Sequence, residues 1–133
     1  MTMGKMAAVA ALSLLCGLPA MAAEDQFADI DCTKDQQSMI GMKVCAGRNL
    51  EATEKTLKTR KADYLRKANK TDHKQINKFF KAAEAYSDAL CDLEGRKYAG
   101  GSMQSLVVGV CLDGQYQDQI KTIEGLMKSP EEQ

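Results

Sequence analysis

Residues 76–93 read INKFFKAAEAYSDALCDL, and the spacing of their apolar side chains decides the fold. Ile76, Phe79, Phe80, Ala83, Tyr86, Leu90 and Leu93 recur at intervals of three and four, the repeat of one buried face of an α-helix. Upstream, Asn69-Lys70-Thr71 reads as a turn, with Asp72 placed to cap this helix. Downstream, Gly95 and the run Tyr98-Ala99-Gly100-Gly101-Ser102 end it. Adjacent glycines permit a tight reversal through positive φ, and Ser102 is placed to cap the next segment.

Working outward, a longer helix begins near Ser38, a good N-cap residue. Leu50, Leu57 and Tyr64 repeat every seven positions along it, with Met42, Cys45, Ala46, Leu65 and Ala68 beside them and lysines and arginines opposite. Met39 and Met42 are read as flexible core fillers on this helix rather than as soft-metal ligands. The third segment carries Met103, Leu106, Val107 and Val110, then Ile120, Ile123 and Met127. Its Leu106–Val110 stretch is β-branched and would also suit a buried strand, but a lone strand has no partner in this chain, so helix is favoured. The expectation is an all-α fold: a small antiparallel three-helix bundle, in one domain with a thin core. Pro130 and the acidic tail from about residue 129 are read as frayed.

The N-terminus carries a different signal. Met1–Lys5 bears one lysine, Met6–Leu18 is apolar, and Pro19 precedes the small-x-small triplet Ala20-Met21-Ala22. Together these are the parts of a secretory signal peptide, residues 1–22, leaving 23–133 as the mature domain in the periplasm or secreted. The apolar run is shorter than the ~20 residues a membrane span needs, and no second run is present. Cys16 sits inside that run behind bulky Leu14-Leu15, so it is read as discarded with the signal, not lipidated.

Cleavage turns five cysteines into four: Cys32, Cys45, Cys91 and Cys111. An even number in a short exported chain points to disulfides, because the compartment oxidises and a small core needs staples. There is no C-x2-C, and His73 is the only histidine, which argues against zinc and against a thioredoxin-like redox site. Four cysteines allow three pairings. Cys91 and Cys111 lie equally far on either side of Gly101, so two antiparallel helices joined there bring them to one height. Cys32, at the end of an acidic lead (Glu24 to Asp31), can reach Cys45, two turns into the first helix, if the lead loops back, so Cys32–Cys45 with Cys91–Cys111 is the preferred pairing.

With Lys5 gone, 17 basic side chains face 18 acidic ones, but unevenly: residues 24–35 carry net −4, residues 43–81 net +8, and residues 84–133 net −5. Such charges usually coat solvated helix faces, and they can also draw an oppositely charged partner to one pole. Tyr64, Phe79 and Phe80 are the only aromatics in the basic segment, and two of them sit at core spacing, so nucleic acid is not the expected partner.

Several of these residues together resemble a family. Cys32 followed by Ser38-Met39-Ile40-Gly41-Met42-Lys43-Val44-Cys45-Ala46 is similar to the opening cysteine and capped C-A helix of LprI-like proteins. Tyr86-Ser87-Asp88-Ala89-Leu90-Cys91 resembles the family's aromatic–Arg-Asp-x-x-Cys segment. Tyr98-Ala99-Gly100-Gly101-Ser102, with Cys111-Leu112 after it, resembles its Gly-Gly-Ser turn and last cysteine. The likeness covers about residues 32–127. Ala83, Ser87 and Lys58 stand where the family commonly has tryptophan, arginine and asparagine. The resemblance implies a helical exported protein, and one branch of the family is described as inhibiting lysozyme.

No constellation for catalysis is legible: there is no Ser/His/Asp motif, no Gly-rich phosphate loop and no metal signature, and no cofactor is expected. His73 is read as exposed and solvated, and Asp88 and Asp92, one turn apart, as ordinary surface charges. Two functions remain. The first is a binding protein, without chemistry of its own, that blocks a basic lysozyme-type hydrolase. Its candidate contacts are the protruding turn Tyr98, Gly100, Gly101 and Ser102, with Asp88, Asp92 and Glu94 supplying acidic charge. The second is an envelope structural or stress protein with no enzyme target.

Overall fold

The computed structural model describes residues 27–128; the expected signal peptide and cleavage site and the tail from residue 129 lie outside the described residues. Three helices account for most of that span: α1 (Met39–Lys67), α2 (His73–Arg96) and α3 (Gln104–Met127), with a 3-10 turn at Lys70–Asp72. No strand occurs among the described residues, and Leu106–Val110 is helical.

Ser38 caps α1 as expected: it has extended backbone, and its Oγ accepts from the N–H of Gly41 at 2.9 Å. The other two helix starts differ from expectation. Asp72 precedes α2, but its backbone is already helical and its side chain makes no capping bond, because the 3-10 turn delivers the chain in helical geometry. Ser102 does not cap α3 either; Met103 holds the cap position without a side-chain bond. α2 stops at Arg96, between Gly95 and the Tyr98 run that were expected to end it.

α3 is the central helix. It runs antiparallel to α2, with Cys91 bonded to Cys111 and Gln119 reaching Ser87. It runs parallel to α1, as the Arg60 Nε–Glu124 Oε1 bond of 2.8 Å and the facing of Thr53 and Thr56 by Gln117 and Ile120 show. α1 and α2 share a smaller contact, where Tyr64 stands edge-on to Phe80 at 6.3 Å and Lys61 lies over the same ring.

The apolar core is concentrated toward the end where α1 joins α2. Leu57, Ile76, Phe80 and Ile123 are buried there, with Tyr64, Leu65, Phe79, Tyr116 and Met127 packed around them. Midway along α2 the filling changes from apolar to polar. Ser87 is buried and donates to the carbonyl of Ala83, and the Gln119 amide donates to Ser87 Oγ at 2.9 Å. Beyond that pair Cys91–Cys111 joins α2 to α3 and Cys32–Cys45 ties the segment ahead of α1 to that helix, with Cα–Cα distances of 5.5 and 5.6 Å. Both pairs are those expected from the sequence.

Three expected core residues are on the surface, two of them on α2. Tyr86 and Leu93 are 63% and 60% exposed, and α2 instead buries Ile76, Phe80, Ser87, Cys91 and Gly95. Small residues at 87, 91 and 95 allow α3 to approach closely: a Cβ on Gly95 would collide with Val108 Cγ2. Val110, expected inside, is also exposed. His73 is half-buried rather than solvated, with its Nε2 enclosed.

Candidate partner-binding surface

α2 and α3 are joined by a sequence of tight turns. The N–H groups of Tyr98, Ala99 and Gly101 donate to the carbonyls of Gly95, Arg96 and Tyr98, and Gln104 donates to Gly101. Gly100 has φ +77°, a conformation that costs glycine little and other residues more. Gln104 Oε1 accepts from its N–H, so the side chain at the start of α3 fastens the turn's tip. Gly100, Gly101 and Ser102 are exposed, and the Tyr98 ring is 45% exposed on this fastened backbone.

The acids proposed alongside the turn do not form one patch. Residues two apart on a helix point about 200° apart, so Asp92 and Glu94 face opposite flanks of α2. Each already has a neighbour: Asp92 pairs with Arg96 at 2.9 Å and Glu94 with Lys97 at 2.6 Å. Asp88 has no ion pair among the described residues. It lies instead, with Glu54 and Glu84, close enough to Tyr116 that their charges add to burial, the larger cause, in raising the phenol's pKa. Glu54, Glu84 and Tyr116, with Leu57, Lys58 and Lys61, line a cleft of about 240 Å³.

The residue that sequence reasoning passed over is Arg48. Its guanidinium donates to the carbonyl oxygens of Ile30 at 2.7 Å and Phe27 at 2.8 Å, fixing the acidic lead against α1. The signal for it was present: an arginine one turn beyond Cys45, on the helix that the lead must reach to place Cys32. Within the lead, Asp31 accepts from the side chain and the N–H of Thr33, and these bonds, with Lys34 nearby, hold its carboxyl below the usual range. Because α2 runs antiparallel to both other helices, the lead, the start of α1 and the Tyr98 turn gather at one end of the bundle. Asp29, Asp31 and Asp35 are therefore near the turn, whereas Arg66, Lys67, Lys70 and Lys74 lie at the opposite end. The axial asymmetry is one of positive charge at that far end, because Lys34, Lys43, Arg48, Arg96 and Lys97 sit among the acids at the turn end.

No group of three His, Cys, Asp or Glu side chains suited to a metal occurs among the described residues, and no described helix is long and apolar enough to cross a membrane. No curated protein and no solved structure matches the chain. The family model described as lysozyme inhibitor LprI matches residues 31–123, from the residue before the first paired cysteine to the buried Ile123 on α3. The disulfide pairs, the capped α1 and the glycine turn all fall within that span, and the chain belongs to the LprI family.

Proposed function

We propose that this is an exported binding protein that inhibits a lysozyme-type cell-wall hydrolase by occupying its substrate groove. The family match over residues 31–123 carries the reading. The shape of the turn end supports it: Tyr98 is presented on backbone fixed by hydrogen bonds, by the close passage of Gly95 past α3 and by a disulfide further along the same two helices. Little ordering entropy remains to be lost on docking, which favours affinity. Glycoside hydrolysis needs two carboxylates flanking the bound sugar, so filling that groove is sufficient to stop it.

Electrostatics would act chiefly on the encounter. A basic hydrolase approaches the end bearing Asp29, Asp31, Asp35, Asp88 and Asp92, and exposed pairs such as Asp92–Arg96 are weak enough to exchange partners. Inhibition should weaken with salt, since the Debye length is about 8 Å at physiological ionic strength. Reversing Asp88, Asp92 and Glu94 together should slow association, whereas reversing Lys67, Lys70 and Lys74 at the far end should not. Tyr98→Ala should raise the inhibition constant by about 30-fold, the equivalent of the ~2 kcal/mol typical of an aromatic hot spot. The deciding measurement is turnover of cell-wall substrate by lysozymes at low salt with the disulfides intact. If micromolar protein neither binds nor slows any of them, the inhibitor reading fails and the envelope-protein reading replaces it.

A further inference from the structure

The residues that α2 leaves in solvent are not scattered. Phe79, Ala82, Tyr86, Ala89 and Leu93 succeed one another at spacings of three, four, three and four, the a/d repeat of a coiled-coil seam. Phe79 is half-buried against the core; Ala82, Tyr86, Ala89 and Leu93 are all exposed. The seam lies on a different side of the helix from Ile76, Phe80, Ser87 and Cys91, which face the rest of the bundle. α2 is thus apolar on two faces, and the described residues cover one.

The flanking charges indicate what suits the other. Lys78 and Asp92 hold equivalent positions, two heptads apart, on the same edge of the seam, with Ala85 midway between them. Behind them Lys74 and Lys81 lie toward the start of α2, and Asp88 toward its end. Lys74, Lys78 and Lys81 make no ion pair among the described residues. Along this edge the helix is positive in its first half and negative in its second, so its best match is itself reversed.

From this pattern we infer that α2 is a self-association face, on which a second copy of the chain docks its own α2 antiparallel. A two-fold axis near Tyr86 sets Ala82 of one copy beside Ala89 of the other, and the small side chains allow the axes to approach to about 8 Å. The same axis sets Lys78 of each copy beside Asp92 of its partner, at both ends, where Asp92 exchanges its exposed Arg96 contact for the partner's lysine. A parallel pair would turn this edge toward the opposite edge of the partner's seam, so Lys78 and Asp92 would not meet. The seam spans 15 residues, about 21 Å of helix, so the contact is small and the dimer should be weak and reversible.

Sedimentation equilibrium of the oxidised protein from about 10 µM to about 1 mM should show a monomer–dimer equilibrium within that range. Tyr86→Lys and Leu93→Asp should each abolish the dimer while leaving helical circular dichroism unchanged, since both side chains are exposed. Lys78→Asp and Asp92→Lys should each weaken association at least tenfold, and the double swap should restore it, a rescue that general surface damage would not give. A chain that stays monomeric throughout, or a dimer insensitive to Tyr86→Lys, overturns the inference. So does a protein that is monomeric alone yet loses lysozyme binding through Tyr86→Lys, which would assign the seam to the enzyme instead.

Discussion

Gly95 and Gly41 are required for the space they leave rather than for unusual dihedrals. A Cβ on Gly95 meets Val108, whose β-branched side chain has little freedom to turn aside. Gly95→Ala should therefore cost about 1–3 kcal/mol, read as a lowered urea midpoint. A Cβ on Gly41 would collide with the Asp35 carbonyl oxygen, so backbone must move. That substitution should detach the lead from α1 and disturb the Ser38 cap, and hydrogen exchange of residues 31–41 would report it. Ser87 and Gln119 obey a different logic. Ser87→Ala removes the nearer acceptor from a buried amide and should cost about 1–3 kcal/mol. Adding Gln119→Leu removes the stranded donor as well, so the double variant should recover part of the loss. A double variant no better than the single one would mean that the polar pair is not the source of the cost.

At the level of elements, α1 was the most legible, since its cap, its length and its Leu57–Tyr64 stripe all come from residue types at helical spacing. α2 was legible as a helix but not in its rotation. Hydrophobicity favours the side with Tyr86 and Leu93, whereas packing chose Ser87, Cys91 and Gly95, because a disulfide to α3 needs close axes and small side chains. The pairing of Cys91 with Cys111 held the clue: the face bearing Cys91 must be the inner one. α3, ambiguous at its valines, is helical because both neighbours offer helices for it to lie along. The glycine turn was legible as a turn and the cysteines as their pairs, but Arg48 and the dispersal of Asp92 and Glu94 depend on tertiary geometry. α3 also carries a pH-sensitive group. Tyr116 has a raised pKa in the fold, from burial first and then Asp88, Glu54 and Glu84, so its neutral form is favoured there. The stability it contributes is complete below the unfolded phenol value of about 10 and is lost as pH climbs through the higher folded value. Tyr116→Phe should flatten the alkaline limb of the unfolding midpoint; an unchanged limb would exclude this group as its cause.

Across the whole molecule, cohesion is divided by type. One end is held by Leu57, Ile76, Phe80 and Ile123, the other by the two disulfides, with the Ser87–Gln119 pair between. Replacing Cys91 and Cys111 with serine should cost about 3 kcal/mol, as should replacing Cys32 and Cys45. The loss of protection should be greatest at the disulfide end, in residues 39–50 and 91–111, while the Ile123 region retains more; uniform loss would show that the two ends unfold as one. Cys91 is fully buried, so reductant should open Cys32–Cys45 first. The connectivity has a further consequence for how the chain matures. Each bond joins cysteines that are neighbours in the sequence, and neither loop encloses the other. On the proposal that the chain is exported and loses Cys16 with its signal, a polypeptide oxidised progressively as it is threaded out N-terminus first presents Cys45 next after Cys32, and Cys111 next after Cys91. At each stage the earliest available partner is the right one, so maturation should need an oxidant but no isomerase to reshuffle wrong bonds.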